Sequence, residues 1–159
     1  MSPTTHTTRI AADPTVPLIT ITRDFDAPPD RVFRAHTDAE LLVRWLGPRG
    51  LTMRIDYFDC RTGGSWRYVH ESNGHEYGFH GCFHEVRPNS LIIQTFTFEG
   101  APDGVALERL VLDEVATGRT RLTSTSLVES FATRDAILAS GMEHGVVEGY
   151  EKLDELLAR

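Results

Sequence analysis

Cysteine is scarce in this sequence, which contains only Cys60 and Cys82. Two cysteines do not make the disulfide framework on which small secreted proteins depend. The first residues also lack the continuous apolar stretch of a secretion signal. The sequence therefore predicts a protein of the reducing cytoplasm.

Long apolar runs and positive charge are lacking as well. No run approaches the roughly 18 apolar residues that indicate a membrane-spanning helix, so we expect no membrane span. The 16 lysine and arginine residues are outnumbered by 23 aspartate and glutamate residues, which gives a formal net charge of -7. Because binding to phosphates requires a basic stripe, we exclude nucleic acid as a partner.

The motifs of several enzyme classes are missing too, namely the nucleophile elbow, the P-loop, the dinucleotide fingerprint and the metalloprotease helix. The histidines do not form a metal site. His80 and His84 would share a face of an extended strand but lie about 13 Å apart, and His70 would point to the opposite face from His80. We therefore expect neither a metal nor a cofactor.

What is present is the composition of one globular domain. Of the 159 residues, 40% are hydrophobic and 25% are charged, and a chain of this length can bury a core. Residues 1–16 are rich in threonine and proline, and we predict a disordered N-terminal tail there. Residues 17–159 would form the folded domain.

The order of secondary structure follows from alternation and turn residues. Residues 18–25 alternate and favour a strand. Start signals at Pro28-Pro29 and at Asp38 predict two short helices, stopped by Gly47 and Pro48. Six further strand segments are separated by turn residues; they are 51–60, 64–72, 74–86, 90–98, 105–114 and 120–128.

The last segment, residues 133–157, has the apolar periodicity of an amphipathic helix of about seven turns. Consecutive strands with short turns favour an antiparallel meander, and this helix is the only long apolar surface available to cover it. We therefore predict an α+β fold. A curved antiparallel sheet of about seven strands, with two short helices, would wrap around a long C-terminal helix.

Glycines interrupt the apolar face of this helix. Gly145 and Gly149 fall inside the face, and Gly141 lies at its margin. Each glycine in a helix interior costs about 1 kcal/mol relative to alanine, so a helix that only covered a core would avoid them. One hypothesis is that they form a groove that leaves space for a ligand. The alternative is that they let the helix backbone press closely onto bulky strand residues.

The strongest local signal is Asn73-Gly74, a dipeptide typical of a two-residue hairpin turn. This turn would pair Ser72 with His75 and fix which residues share a face. The predicted inner face of the hairpin carries Trp66, Tyr68, His70, Tyr77 and Phe79. Neighbouring strands add Met53, Ile55, Tyr57, Gln94, Phe96, Phe98, Glu108, Leu110, Ser124 and Ser126. A single β-bulge would reverse the assignment for its strand.

An apolar face with a few polar groups is typical of a small-molecule site. Burying Gln94 and Glu108 unpaired would cost several kcal/mol. Either they hydrogen-bond to a ligand, or one of their two strands is shifted so that its polar residue faces solvent. Trp45 would plug the core or lie at the pocket mouth, and we favour the mouth. The predicted ligand-binding residues are Trp45, Tyr57, Trp66, Tyr68, His70, Tyr77, Phe79, Gln94, Phe96, Glu108, Met142, Gly145 and Gly149.

Five segments resemble a known family; they are WLGP from Trp45, DCRTGGSWRY from Asp59, GCFHEV from Gly81, QTFTFEG from Gln94 and SGMEHGVVEGYEKLDELL from Ser140. They are similar to small bacterial proteins related to the C-terminal domain of the activator of heat shock protein 90 ATPase. These belong to the SRPBCC superfamily, with START lipid-transfer domains, polyketide cyclases and the birch pollen allergen. The resemblance covers nearly everything after about residue 18. It implies a helix-grip fold with a cavity between helix and sheet, usually for a hydrophobic molecule.

Three functions remain open. The first is binding of a hydrophobic or aromatic small molecule between the C-terminal helix and the sheet, which we favour. The second is a protein interaction module that uses the outer-face residues Ile93, Leu107 and Val111. It would regulate a chaperone or form a homodimer. The third is a cyclase or hydrolase in which His70 acts as general acid or base.

Overall fold

The computed structural model describes residues 6–159. Within these residues, eight antiparallel strands form one sheet in the order β1-β2-β8-β7-β6-β5-β4-β3. The strands are β1 (Arg9–Ala12), β2 (Leu18–Phe25), β3 (Thr52–Phe58), β4 (Ser65–Ser72), β5 (His75–Arg87), β6 (Leu91–Phe98), β7 (Ala106–Ala116) and β8 (Arg119–Leu127). The helices are α1 (Pro29–Thr37), α2 (Ala39–Leu42), α3 (Phe131–Ala139) and α4 (Met142–Leu157). This confirms the predicted α+β helix-grip architecture. None of these helices within residues 6–159 is long and apolar enough to cross a membrane.

The N-terminal segment corrects one prediction. Residues 9–12 form a strand that pairs with β2, with Ile10 opposite Ile21, so a disordered tail is wrong for this part of the chain. Without β1, the edge of β2 would expose a row of unpaired backbone groups. Asp13 then shapes the turn, because its carboxylate accepts from the backbone N–H groups of Thr15 and Val16. Residues 1–5 of the predicted tail lie outside the described residues.

The two short helices begin where the sequence predicts. Pro28 caps α1 and a proline occupies its first turn, where a missing N–H does no harm. The carboxylate of Asp38 accepts from the Glu40 N–H and starts α2. The chain then turns through Trp45 to Pro48, and α4 packs on this loop.

The C-terminal helix is broken into two. α3 starts at Ser130, whose hydroxyl accepts from the Thr133 N–H. α4 starts after Gly141, which has a φ of +87°, a conformation that favours glycine. The prediction of one continuous helix is therefore wrong. The break allows α3 to leave the axis of α4.

The register around Asn73-Gly74 is as predicted. Both residues have positive φ, +51° and +80°, as a primed two-residue turn requires. Ser72 pairs with His75 and Tyr68 pairs with Phe79. The hairpin therefore places its aromatic residues on the inner face of the sheet.

One β-bulge overturns the assignment of strand β3. The register shifts between Ile55 and Tyr57, which reverses the faces of the residues that follow. Tyr57 is 47% exposed, whereas Phe58 packs into the core. Tyr57 was predicted to line the ligand site, and that prediction is wrong for this reason.

The second half of α4 forms the main core with α1, β2 and β8. Tyr150, Leu153 and Leu157 are buried there against Phe25 and Leu122. Each such side chain contributes about 1.5–3 kcal/mol by leaving water. This packing fixes the C-terminal half of α4, while its first turns lie over the aromatic part of the sheet.

Candidate functional site

A cavity of about 950 Å³ lies between the inner face of the sheet, the start of α4, and α3. Strands β4, β5 and β6 supply an aromatic wall. Its rings are Trp66, Tyr68, Tyr77, Phe79, Phe96 and Phe98. The curvature of the sheet holds this wall away from the helices, so the space between them is not filled by side chains.

The aromatic wall is continuous because its rings adjoin one another along β4 and across β4, β5 and β6. Tyr68 stacks on Trp66 with ring centres 5.2 Å apart and lies 5.3 Å from Phe79. Phe79 in turn lies 5.5 Å from Phe96 and 5.3 Å from Phe98. Aromatic pairs at these separations stabilise one another by about 0.5–1.5 kcal/mol. The wall is therefore a rigid apolar surface.

The opposite wall comes from the helices and is aliphatic. Ile137 on α3 and Met142 and Val146 on α4 face the rings across the cavity. Trp45 and Leu46 close the inner end. At the outer end, Tyr77, Phe98 and Val105 line the cavity and are 41%, 38% and 52% exposed. These three residues mark the mouth.

Two polar side chains meet in the middle of the sheet wall. Gln94 on β6 pairs directly with Glu108 on β7, and Glu108 pairs with Ser126 on β8. The Gln94 amide nitrogen donates to Oε1 of Glu108 at 3.0 Å. All three residues line the cavity. The sequence thus places one carboxyl group, with neutral partners, inside an apolar space.

Burial raises the pKa of Glu108, although hydrogen bonds from Gln94 and Ser126 act in the opposite direction. Desolvation dominates because it penalises the charged form. Burial and the charge of Glu108 also raise the pKa values of Tyr68 and Tyr150. Both phenols therefore stay protonated at neutral pH, and both lie within electrostatic reach of Glu108.

Nine of the residues predicted to form the site line the cavity; they are Trp45, Trp66, Tyr68, Tyr77, Phe79, Gln94, Phe96, Glu108 and Met142. Four do not, namely Tyr57, His70, Gly145 and Gly149. The bulge in β3 turns Tyr57 away from the cavity. The loop that contains Trp45 and Pro48 lies against His70, Gly145 and Gly149 and separates them from the cavity.

The helix glycines face this loop and not the cavity. A Cβ on Gly145 would lie 3.3 Å from Cδ of Pro48, and a Cβ on Gly149 would lie 3.2 Å from the Trp45 carbonyl oxygen. The groove hypothesis for these two positions is therefore wrong. Close backbone approach is the reason for the glycines, with a loop as the neighbour where strand residues were expected.

His70 lies on the inner face but is covered. It is 8% exposed, and a Cβ on Gly47 would come within 2.9 Å of its Cε1. Burial, together with the charge of Lys152, lowers the pKa of His70 to about 4. Because His70 does not line the cavity, it is badly placed to act on a molecule bound there.

Trp45 belongs to the core as well as to the cavity wall. It is 3% exposed, its indole N–H donates to the Ala35 carbonyl oxygen at 2.9 Å, and it stacks on Tyr150 with ring centres 6.1 Å apart. The core position, one of the two weighed from the sequence, is the one observed. Trp45 was expected at the mouth, but Tyr77, Phe98 and Val105 lie there instead.

Sequence reasoning missed the contribution of α3. Thr133, Ala136 and Ile137 line the cavity, but a continuous helix would have carried them along the axis of α4. Two signals were available. Ser130 is a capping residue that starts the helix two residues earlier than predicted, and Gly141 is the residue type that commonly ends a helix in the left-handed conformation.

The family profile described as "Activator of Hsp90 ATPase homolog 1-like protein" matches residues 26–158. The chain belongs to this family. The resemblance found in the sequence is thereby confirmed, and with it the SRPBCC type of ligand-binding helix-grip fold. The comparison with curated proteins gave no match.

Solved structures similar to this chain come from several bacteria. A crystal structure of a protein from Rhodobacter sphaeroides is 29% identical, with a TM-score of 0.85, and the match covers 94% of this chain and 97% of that one. A solution structure from Arthrobacter aurescens is 25% identical, with a TM-score of 0.85 and coverage of 94% and 91%. The AHSA1 protein from Silicibacter pomeroyi is 22% identical, with a TM-score of 0.73 and coverage of 89% and 97%, and shows the fold alone.

Proposed function

We propose that this protein binds an apolar or aromatic small molecule in the cavity, with the polar end of the molecule at Gln94 and Glu108. The observation that carries the proposal is the cavity of about 950 Å³ with an aromatic wall and one internal polar pair. Small-molecule sites are concave, mostly apolar and equipped with few polar groups. This cavity has all three properties.

The walls favour an apolar occupant over water. Water in a space lined by rings and aliphatic side chains has few hydrogen-bond partners. An apolar ligand would gain about 25 cal/mol for each Å² of apolar surface removed from water. Trp66 stacks on Tyr68, and the Phe79 ring lies tilted against Tyr68. This group of adjoining rings suits an aromatic occupant.

The polar pair would orient the ligand. Ionising the buried Glu108 carboxyl carries a desolvation penalty, and Gln94 satisfies part of its hydrogen-bonding capacity. A ligand group that hydrogen-bonds to this pair would be held in one direction relative to the mouth. We propose no reaction, because His70, the candidate general acid or base, does not line the cavity.

The outer sheet face gives weaker support to an interaction role. Leu107 and Leu127 are paired and are 48% and 38% exposed. However, the next pair on the same face of these strands is Arg109 with Thr125, which limits the apolar surface that a chaperone or a second copy could cover. Native mass spectrometry separates the two roles, since ligand binding predicts a retained small molecule and an interaction role predicts a ligand-free dimer.

The binding proposal can be tested by filling the cavity. Titration with N-phenyl-1-naphthylamine, a neutral dye that fluoresces in apolar surroundings, should show saturable binding to the wild-type protein. Ala136→Trp puts an indole on the cavity side of α3 and should weaken dye binding about tenfold or more, which corresponds to about 1.4 kcal/mol.

Ala139→Trp is the matched control, because Ala139 is exposed on the same helix and lies outside the cavity lining. This variant should bind the dye as the wild type does. Equal binding by both variants, or no binding by the wild type, would contradict the proposal.

A further inference from the structure

The charges that line the cavity have one sign. The only acidic residues among the described lining residues are Glu108 in the middle and Glu129 at the start of α3, and arginine and lysine are absent from that lining. His36 also lines the cavity, but burial lowers its pKa to about 4. At neutral pH the cavity therefore offers carboxyl groups and no cation.

Glu129 is a carboxylate at neutral pH. The hydroxyl of Thr133 donates to its Oε1 at 2.7 Å, and this hydrogen bond lowers the pKa of Glu129. Glu129 and Thr133 both border the cavity where α3 begins. Glu129 therefore adds a second carboxylate to the cavity lining, at the start of α3.

Glu108 has only neutral partners among residues 6–159. Gln94 donates to its Oε1, and the groups that shift its pKa are Gln94, Ser126 and desolvation. Its side chain keeps accessible surface, and that surface faces the cavity. A buried carboxylate normally has a cationic partner. Here the partner's place is open to the cavity.

The surroundings of Glu108 suit a cation attached to a flat apolar body. Gln94, the partner of Glu108, pairs with Phe83 across β5 and β6, and Phe96 lies two residues further along the same face of β6. Tyr68 and Tyr150 are close enough for the charge of Glu108 to shift their pKa values. Ring faces attract ammonium groups, more strongly where water is excluded.

We infer that the cavity selects a hydrophobic cation, a molecule with a planar apolar body and one protonated amine that pairs with the Glu108 carboxylate. This inference rests on the proposed binding function and specifies the class of ligand. The amine replaces the missing cationic partner of Glu108, the body lies on the wall formed by Trp66, Tyr68 and Phe79, and Glu129 adds a second carboxylate to the lining. An anionic ligand would meet repulsion at both carboxylates.

Three fluorescent probes with one ring system test the inference, namely 1-pyrenemethylamine, 1-pyrenemethanol and 1-pyrenecarboxylic acid. They differ mainly in charge, which is positive, zero and negative at pH 7. With the wild-type protein at low salt, the amine should bind about tenfold tighter than the alcohol, and the carboxylate should bind weakest.

Glu108→Gln keeps the size of the side chain and removes its charge. This variant should lose most of the preference for the amine, read as the ratio of the dissociation constants of the alcohol and the amine. Glu114→Gln changes the net charge equally at an exposed position of β7 outside the cavity lining, so it should keep the preference. Amine affinity of the wild type should rise with pH as Glu108 loses its proton, and Glu108→Gln should remove this dependence.

The outcomes distinguish the preference for a cation from the binding of an apolar molecule. If the alcohol or the acid binds at least as tightly as the amine, the cation preference is refuted and binding of an apolar molecule stands. If Glu114→Gln reduces the preference as much as Glu108→Gln does, the effect comes from net charge and the role of Glu108 is refuted. If none of the three probes nor the neutral naphthylamine dye binds, the proposed function falls together with this inference.

Discussion

Arg23 of β2 and Asp154 of α4 form an ion pair that joins the sheet to the C-terminal helix. Nη1 of Arg23 donates to Oδ1 of Asp154 at 2.9 Å, and Nη2 donates to the second carboxylate oxygen. Arg23 is 1% exposed and its guanidinium lies 4.8 Å from the centre of the Phe25 ring. The pair therefore holds the buried half of α4 in place and leaves the other half to cover the cavity.

Removing the carboxylate of this pair should be strongly destabilising. Asp154→Ala leaves a buried guanidinium without its anionic partner, which typically costs about 3–5 kcal/mol. Urea unfolding measures the loss. Asp59→Ala is the control, because Asp59 and Arg61 form an exposed pair whose removal should cost less than about 1 kcal/mol. Equal losses in the two variants would show that the Arg23 pair has no special role in stability.

Alanine at the two interior glycines of α4 should have different effects. In both cases alanine gains about 1 kcal/mol of helix propensity. At Gly149 the new Cβ would lie 3.2 Å from the Trp45 carbonyl oxygen and 3.4 Å from backbone atoms of Gly47, so a backbone segment must move at a cost of about 1–3 kcal/mol. At Gly145 the close neighbour is one side-chain atom of Pro48. We expect Gly149→Ala to lower the urea midpoint more than Gly145→Ala, and a Gly149→Ala variant more stable than wild type would contradict the close packing.

Local turn chemistry is the reason that the sheet could be predicted. Asn73-Gly74 fixes the pairing of β4 with β5 within two residues, so the inner position of Trp66, Tyr68 and Phe79 follows from alternation alone. The same alternation of faces, continued through the next turns to β6 and β7, places Gln94 and Glu108 correctly on the inner face. The class of fold and most of the cavity wall could thus be read from the sequence.

The errors occur where a residue's surroundings depend on distant parts of the chain. The apolar periodicity of α4 does not reveal that Gly145 and Gly149 face the loop at Trp45 to Pro48, which is about a hundred positions earlier. The same loop covers His70. Gly141 was predicted to lie at the margin of the glycine groove on one continuous helix, but its positive φ separates α3 from α4, and no periodicity signals such a break.

The bulge in β3 can be checked by a pair of alanine variants. Phe58 packs on Phe83 with ring centres 5.7 Å apart, so Phe58→Ala should cost about 2 kcal/mol or more through lost packing. Tyr57 is 47% exposed, and Tyr57→Ala should change the unfolding free energy by less than about 1 kcal/mol. Without the bulge the two side chains would exchange faces and the order of the two losses would be reversed.

Stability should fall in mild acid because His70 is buried as the neutral imidazole. Its pKa in the folded protein is lowered to about 4 from an ordinary value of 6.5. Between these values the unfolded chain binds a proton that the folded chain does not, so the unfolding free energy decreases as the pH falls from about 6.5 towards 4, by up to about 1.4 kcal/mol per pH unit. Above pH 6.5 this contribution is fully present.

His70→Phe removes the titrating group and keeps an aromatic ring against Gly47. Its urea midpoint should therefore vary less between pH 7 and pH 5 than that of the wild type, with circular dichroism as the measurement. His36, whose pKa burial also lowers to about 4, titrates in both proteins and cancels in the comparison. The same holds for carboxylates whose pKa values are lowered in the fold, such as Glu99 with a pKa of about 2. His75→Phe, at the exposed end of the hairpin, should retain the wild-type pH dependence. A parallel loss of stability in His70→Phe and wild type over this range would show that His70 does not remain neutral in the folded protein. Its burial against Gly47 would then be incorrect.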